Sequence, residues 1–209
     1  MSRRLLALIV ASGLLLVGCA SPKVKSDVTV FQEWPANLQG QAFVFDRTRE
    51  QENNLEYRSY ENLVRNELHR LGFVDAPTPQ VAEIKAIMSY SISVRDVRVI
   101  TPVVVDPFWY GSPFYGPRWG GYYGPFYDPF WYGPPITEYR ETNYELFKRQ
   151  LHVTLSRAAD AKKLYDVTVV SEGRNGALAA VMPYMVRSAF IDFPGKNGTS
   201  RRIELEMKD

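Results

Sequence analysis

The chain has 209 residues, a formal net charge of +2, 45% hydrophobic residues and a single cysteine. This length allows one domain with its own core, or at most two small ones, and the hydrophobic content argues against a globally disordered chain. Residues 1–18 contain Arg3 and Arg4 but no acidic residue, so the rest of the chain carries equal numbers of basic and acidic side chains. The composition therefore gives no reason to expect a nucleic-acid partner, and one cysteine excludes an internal disulfide.

The first 18 residues are predicted to be a signal peptide. Two arginines precede the apolar run Leu5 to Val17, which is too short for a membrane span of roughly 20 residues but suits a signal-peptide core. The run ends in the tetrapeptide Leu-Val-Gly-Cys at residues 16–19, which resembles the lipobox of bacterial lipoproteins. The resemblance implies cleavage before Cys19, lipidation of its thiol, and a lipidated tether over residues 19–27.

Lipidation of Cys19 implies that the protein is anchored to a membrane. Burial contributes about 0.8 kcal/mol per methylene, so two acyl chains give stable anchoring. Ala20 follows the cysteine, where lipoproteins retained in the inner membrane often have aspartate. The resemblance therefore implies the outer membrane of the cell envelope, with the folded domain in the periplasm.

The first half of the remaining chain is predicted to fold as two strands, a helix and a long strand. Val28 to Phe31 and Gln41 to Phe45 have the composition of strands. Asn53 and Glu56 have the spacing of a capping box, and Gly72 followed by Phe73 is typical of a helix C-terminus. The apolar stripe between them consists of Tyr60, Leu63, Val64, Leu68 and Leu71.

The strand predicted over residues 84–94 has the clearest alternation in the chain. Its polar side carries lysine and serines, and a period of two indicates a strand with one buried face. We expect the buried face to consist of Ile84, Ala86, Met88, Tyr90, Ile92 and Val94.

The second half is predicted to contain two strands, a helix and a final strand. Residues 137–156 alternate, with Phe147, Leu151, Val153 and Leu155 on one face, and residues 164–170 form the returning strand after a hairpin connection. A second helix is indicated by Leu178, Met182, Met185, Val186 and Ala189, with a kink or break expected near Met182 because Pro183 follows it. Residues 201–207 complete the order β-β-α-β, loop, β-β-α-β.

This order predicts a single α+β domain over residues 28–209, with an antiparallel sheet packed on two helices. Together with the lipobox it resembles the lipoprotein family catalogued as domain of unknown function 4136. The residues that carry the resemblance are Tyr57 to Phe73, Ala82 to Ser93, and Phe193-Pro194-Gly195 in the closing segment. The likeness spans roughly residues 24–207, and it implies no particular catalytic residue.

Residues 107–135 form an aromatic segment of unusual composition between the two halves. Of its 29 residues, 13 are aromatic, seven are proline and six are glycine, and the motif Asp-Pro-Phe-Trp-Tyr-Gly occurs at both 106–111 and 128–133. Prolines and glycines at this density exclude a regular helix or a central strand. We expect a loop insertion whose best candidates for contact are Trp109, Tyr110, Trp119, Trp131 and Tyr132.

Several uses of this aromatic segment remain open. Tyrosine and tryptophan rings favour membrane interfaces, and flat rings can stack on the sugars of envelope glycans. The rings could also bind a protein partner or self-associate, or fold back on the domain's own sheet. We predict that the protein is a membrane-anchored envelope lipoprotein that serves as a binding or structural module through this segment.

No catalytic, cofactor or metal motif is recognisable in the sequence. His69 and His152 are the only histidines, which makes a zinc site improbable, and the sequence has no nucleophile elbow, P-loop or dinucleotide fingerprint. We therefore expect no enzymatic activity, no cofactor and no metal. The alternative is an envelope hydrolase that uses a pair of carboxylates brought together only by the fold.

Overall fold

The computed structural model describes residues 22–35, 41–105 and 136–207, which form a mixed α+β fold. The helices are α1 (Arg49–Glu52), α2 (Leu55–Arg70) and α3 (Leu178–Phe190), and Pro79–Val81 forms a 3₁₀ turn. The strands are β1 (Lys23–Gln32), β2 (Ala42–Phe45), β3 (Val74–Asp75), β4 (Ile84–Val105), β5 (Ile136–Arg157), β6 (Lys163–Gly173) and β7 (Thr199–Glu206). The predicted α+β class is confirmed.

The seven strands form one sheet in the order β3-β2-β4-β5-β6-β1-β7. β6 pairs antiparallel with both β5 and β1, and β1 pairs antiparallel with β7. β2, however, runs parallel to both β3 and β4. The prediction of a wholly antiparallel sheet is therefore wrong at this edge, because helices α1 and α2 follow β2 and a helical crossover returns the chain in the same direction.

The ends of α2 are set by local side-chain and backbone hydrogen bonds. The predicted cap at Asn53 is wrong by one residue, because Asn53 ends α1 and the Asn54 side chain accepts the Tyr57 amide at 3.1 Å. The predicted C-terminus is confirmed. Gly72 has a φ of +93°, its amide donates to the His69 carbonyl, and the Phe73 amide donates to that of Leu68, as in a Schellman motif.

Helix α3 runs without interruption through Pro183, so the break expected near Met182 is absent. The proline removes one backbone hydrogen bond within the helix. Residues on both sides of it are buried against the sheet, namely Val181, Met182, Met185 and Val186. Because residues before and after Pro183 are buried, packing keeps both parts of the helix in place despite the lost hydrogen bond.

The helix-facing side of β4 is only partly buried. Ile84, Ala86 and Met88 are fully buried, and the Tyr90 ring packs against Tyr60 with ring centroids 5.0 Å apart. Further along the same face, Ile92 and Val94 are 42% and 55% exposed, so their predicted burial is wrong. The helix residues that contact Tyr90 lie in the first two turns of α2, and β4 continues past the start of that helix.

β1 begins at Lys23, five residues before the predicted strand. Residues 23–27, assigned to the tether from their polar composition, alternate between exposed and buried positions and pair with β7. On the exposed side, Lys23 and Lys25 form ion pairs with Glu206 and Glu204. Lys23, Lys25 and Asp27 of the predicted tether are therefore the solvent-facing half of a strand, and Val24 and Ser26 lie on its buried half.

The chain divides into two compact units. One consists of the described residues up to Val94 and from Phe147 onward, and it contains the helices and the core. The other is Arg95–Leu146, whose described residues are the C-terminal part of β4 and the N-terminal part of β5.

Candidate functional site

The residues predicted to carry the function lie outside the described part of the chain. Trp109, Tyr110, Trp119, Trp131 and Tyr132 fall between residues 106 and 135, and Cys19 precedes residue 22. The strands on either side of the aromatic segment are described, so the candidate site is built from the end of β4 and the beginning of β5.

β4 and β5 are neighbouring strands that run in opposite directions. The Ser156 hydroxyl donates to the Lys85 carbonyl at 3.4 Å, and the Ser93 hydroxyl donates to the Lys148 carbonyl at 3.5 Å. From Lys85 to Ser93 the residue number rises by eight along β4, while that of the partner falls by eight along β5, from Ser156 to Lys148. The segment from 106 to 135 is therefore the connection between two adjacent antiparallel strands.

The described strand residues of Arg95–Leu146 are largely exposed on both faces. Val99 and Ile100 are 38% and 57% exposed, and consecutive strand residues point to opposite faces of a sheet. On β5, Tyr139 is 73% exposed, and Arg98 forms an ion pair with Glu141. Among the described residues no buried core covers either face of this pair of strands, so Val99, Ile100 and Tyr139 are exposed.

The two histidines each pair with an aspartate. His69 in the last turn of α2 lies 2.9 Å from Asp75, and His152 lies 2.6 Å from Asp166. Burial raises the pKa of Asp166, but hydrogen bonds from His152 and Lys163 outweigh it and hold the pKa below its ordinary value. Thr154 donates to the same carboxylate at 3.4 Å, so its hydroxyl is directed at the acid and not at the histidine.

A buried carboxylate that the sequence did not indicate lies on α2. Glu61 is 2% exposed and accepts hydrogen bonds from Nη2 of Arg47 at 2.6 Å and Nη2 of Arg65 at 2.7 Å. The bond to Glu61 raises the pKa of Arg47. Both oxygens of Glu61 are thus occupied by guanidinium groups, so this buried carboxylate is held by opposite charges within the protein.

Arg149 is a second buried charge that was not among the residues predicted from the sequence. It occupies the core-facing register of β5 between Phe147 and Leu151, and it is 3% exposed. The signal was present in the alternation itself, since every second residue from 147 to 155 is apolar except this arginine. Within the described residues, its Nε atom has no hydrogen-bond partner.

No group of three or more His, Cys, Asp or Glu side chains among the described residues could hold a metal ion. Across residues 22–35, 41–105 and 136–207, no helix is both long and apolar enough to span a membrane.

Comparisons with known proteins give a family and distant structural likenesses. The family described as Domain of unknown function (DUF4136) matches residues 27–195. No curated protein matches the chain. A crystal structure of a PDZ domain protein from Parabacteroides distasonis ATCC 8503 is 11% identical and aligns with a TM-score of 0.46. That alignment covers 99% of this chain, which spans 44% of the length of the other protein.

Proposed function

We propose that this chain, which belongs to the family described as Domain of unknown function (DUF4136), is a lipid-anchored envelope protein that binds a partner through residues 107–135. The anchor is the lipid on Cys19, and the binding residues are Trp109, Tyr110, Trp119, Trp131 and Tyr132. The role is that of a non-catalytic binding module in the periplasm at the outer membrane.

The observation that carries the proposal is the exposure of both faces of the strands next to the aromatic segment. A two-stranded ribbon is marginally stable in water on its own, and here it carries exposed apolar residues such as Ile100 and Tyr139. A large exposed apolar surface is typical of an interaction site. A partner that covers the aromatic residues would also extend over these strands.

The composition of the segment supports binding through rings in preference to polar chemistry. Its only charged residues are Arg118 and Asp128, so contact area has to come from the aromatic side chains. Tryptophan and tyrosine give much contact area for little loss of rotamer entropy. The repeated motif Asp-Pro-Phe-Trp-Tyr-Gly offers two similar docking points, which raises avidity without new chemistry.

Deletion of the segment tests the proposal. Residues 106–135 are replaced by Asn-Gly, a dipeptide that forms the tight turn of a two-residue hairpin and joins Val105 to Ile136. We expect the variant to keep the thermal stability of the α+β unit and to lose the species that wild type captures by in-cell photo-crosslinking from position 139 of β5.

A matched control separates the segment from exposed aromatic residues in general. Phe31 is 58% exposed and lies on β1, so Phe31→Ser removes an exposed ring elsewhere, and photo-crosslinking from position 119 in this variant should capture the same species as wild type. The deletion variant is compared with wild type from position 139 of β5, because the deletion retains that site. If the deletion variant still captures the wild-type species from that position, the segment does not bind the partner. If the α+β unit of the deletion variant unfolds, the segment is part of the core.

A further inference from the structure

We propose that Arg149 and the N-terminus of α3 together bind one phosphate group, at the end of the sheet where the anchored N-terminus joins the fold. The phosphate chemistry follows from the described residues alone. The placement near a membrane rests on the proposed function.

Arg149 is a buried cation with no counter-charge among the described residues. The residue is 3% exposed, and its Nε atom has no partner in the same part of the chain. Burial lowers the pKa of Arg149, and no carboxylate of the described residues opposes that effect. Glu61, in contrast, is a buried charge that forms ion pairs with two opposite charges, Arg47 and Arg65. A buried guanidinium without an opposite charge lowers the stability of the fold, and binding of an anion removes this penalty.

The guanidinium is directed along the sheet towards the connection between β6 and α3. Its Nη2 atom lies against Gly173, so close that a Cβ atom on this glycine would stand 2.9 Å from it. Gly173 is the last residue of β6, and α3 begins at Leu178 after a short connection. The absence of a side chain at residue 173 leaves room for the guanidinium to reach this connection.

The N-terminus of α3 lies at the same end of the sheet. Tyr165 at the start of β6 donates to the carbonyl of Ala189 at the end of α3, at 2.6 Å. The helix therefore runs back antiparallel to β6, and its first turn faces the end of the strand. Ala177 provides no side-chain cap, and the first turn contains no acidic residue. The Ala177 amide donates to Oδ1 of Asn175 at 2.8 Å. The amides of the first helical turn have no partner within the helix, and together with the helix dipole they favour an anion.

Buried hydroxyl groups on the neighbouring strands add further donors. Ser171 on β6 pairs with Arg149 on β5 and is 2% exposed. In the register that pairs Asp27 with Val170, Ser26 of β1 comes next to Ser171. Ser26 is fully buried, and its hydroxyl has no partner among the described residues. Arginine, hydroxyl and helix amides form a donor set that suits the oxygens of phosphate.

The proposed lipid anchor on Cys19 precedes β1 at this same end of the sheet. β1 begins at Lys23, four residues after Cys19, and four extended residues span at most about 14 Å. Ser26 is the fourth residue of β1. A lipidated Cys19 would therefore hold this end of the sheet close to the phosphate layer of a membrane, so the phosphate can come from a lipid headgroup or from solution.

The experiment is a titration of the full-length chain, purified in a maltoside detergent and phosphate-free buffer, with inorganic phosphate at constant ionic strength. We expect saturable binding by calorimetry with one phosphate per chain, and a rise in the thermal midpoint. Arg149→Met should weaken binding at least tenfold. Lys148→Met removes the same charge from the exposed neighbour of Arg149 and should bind phosphate as wild type does.

A second pair of variants keeps the test decisive if Arg149→Met does not fold. Ala177→Asp places a good capping carboxylate at the N-terminus of α3, so it should stabilise the helix and also weaken phosphate binding at least tenfold. Ala177→Ser caps without a charge and should weaken it less. The proposal is overturned if wild type shows no saturable binding, or if Arg149→Met or Ala177→Asp binds phosphate with wild-type affinity.

A second titration identifies the source of the phosphate. Glycerophosphoglycerol, the deacylated headgroup of phosphatidylglycerol, is compared with inorganic phosphate on the same protein. Binding of the diester at least as tight as that of inorganic phosphate assigns a lipid headgroup, and binding of inorganic phosphate alone assigns a soluble ligand. Neither titration alters residues 107–135 or needs an intact membrane, so the result is independent of the aromatic segment and of anchoring.

Discussion

Met88 shows how strongly a single buried position is constrained on β4. It is fully buried and faces α2, where the Tyr57 hydroxyl donates to its carbonyl at 3.2 Å. We predict that Met88→Asp lowers the free energy of unfolding by about 3–5 kcal/mol, because a carboxylate would be buried without a partner. Urea denaturation of the purified protein measures this change.

Val94 provides the matched control for Met88, since it lies on the same face of the same strand but is 55% exposed. Val94→Asp should cost less than about 1 kcal/mol, because its carboxylate stays in water. Equal effects of the two substitutions on the urea midpoint would show that burial does not end near Tyr90.

Arg149 and Glu61 are both buried charged residues, but their charges are compensated in different ways. Glu61 forms ion pairs with Arg47 and Arg65, so its charge is compensated within the protein. Arg149 pairs in register with Ser171 and lies against Gly173, and no ion pair joins it to another described residue. The charge of Glu61 is thus compensated within the fold, whereas we expect that of Arg149 to be compensated by a bound anion.

At the scale of elements, α3 is held together by packing across a proline. Pro183 is exposed and lies inside the helix, where it removes a backbone hydrogen bond and strains the preceding turn. We predict that Pro183→Ala raises the free energy of unfolding by about 1–3 kcal/mol, because it restores the bond and loses no buried contact. Thermal and urea unfolding measure the gain, and a loss of stability would show that Pro183 makes contacts that matter to the fold.

At the scale of the whole molecule, the lipid on Cys19 is expected to decide where the protein resides. We predict that Cys19→Ser blocks lipidation and cleavage, since serine lacks the thiolate that accepts the acyl group. Metabolic labelling with a palmitate analogue and membrane fractionation measure both effects. A variant that matures normally and fractionates with membranes as wild type does is incompatible with this anchor.

Ala20→Asp is the control for the anchor, because it leaves the lipidated cysteine intact. By the sorting rule that lipoproteins follow, it should keep the lipid label and move the protein from the outer to the inner membrane. The pair of variants thus separates the attachment of lipid from the choice of membrane.

The periodicity of the sequence by itself determined most of the elements of this protein. Alternation over residues 84–94 identified the core strand, the helical stripe ending at Gly72 identified α2, and the clustering of aromatic residues at 107–135 marked the connection between β4 and β5. These features are local, since side-chain spacing and the backbone freedom of glycine act within a few residues.

Only the tertiary structure decided which faces are covered and which charges are compensated. Ile92 and Val94 continue the apolar face of β4 but lie beyond the start of α2, so they are exposed. β2 runs parallel to β3 and β4 because two helices follow it before the chain returns to the sheet. In the sequence, Arg149 is like any polar interruption of a strand, and only the folded structure shows that it is buried beside β6. Burial and charge pairing depend on elements far apart in the chain, and a local pattern contains no information about which of them will meet.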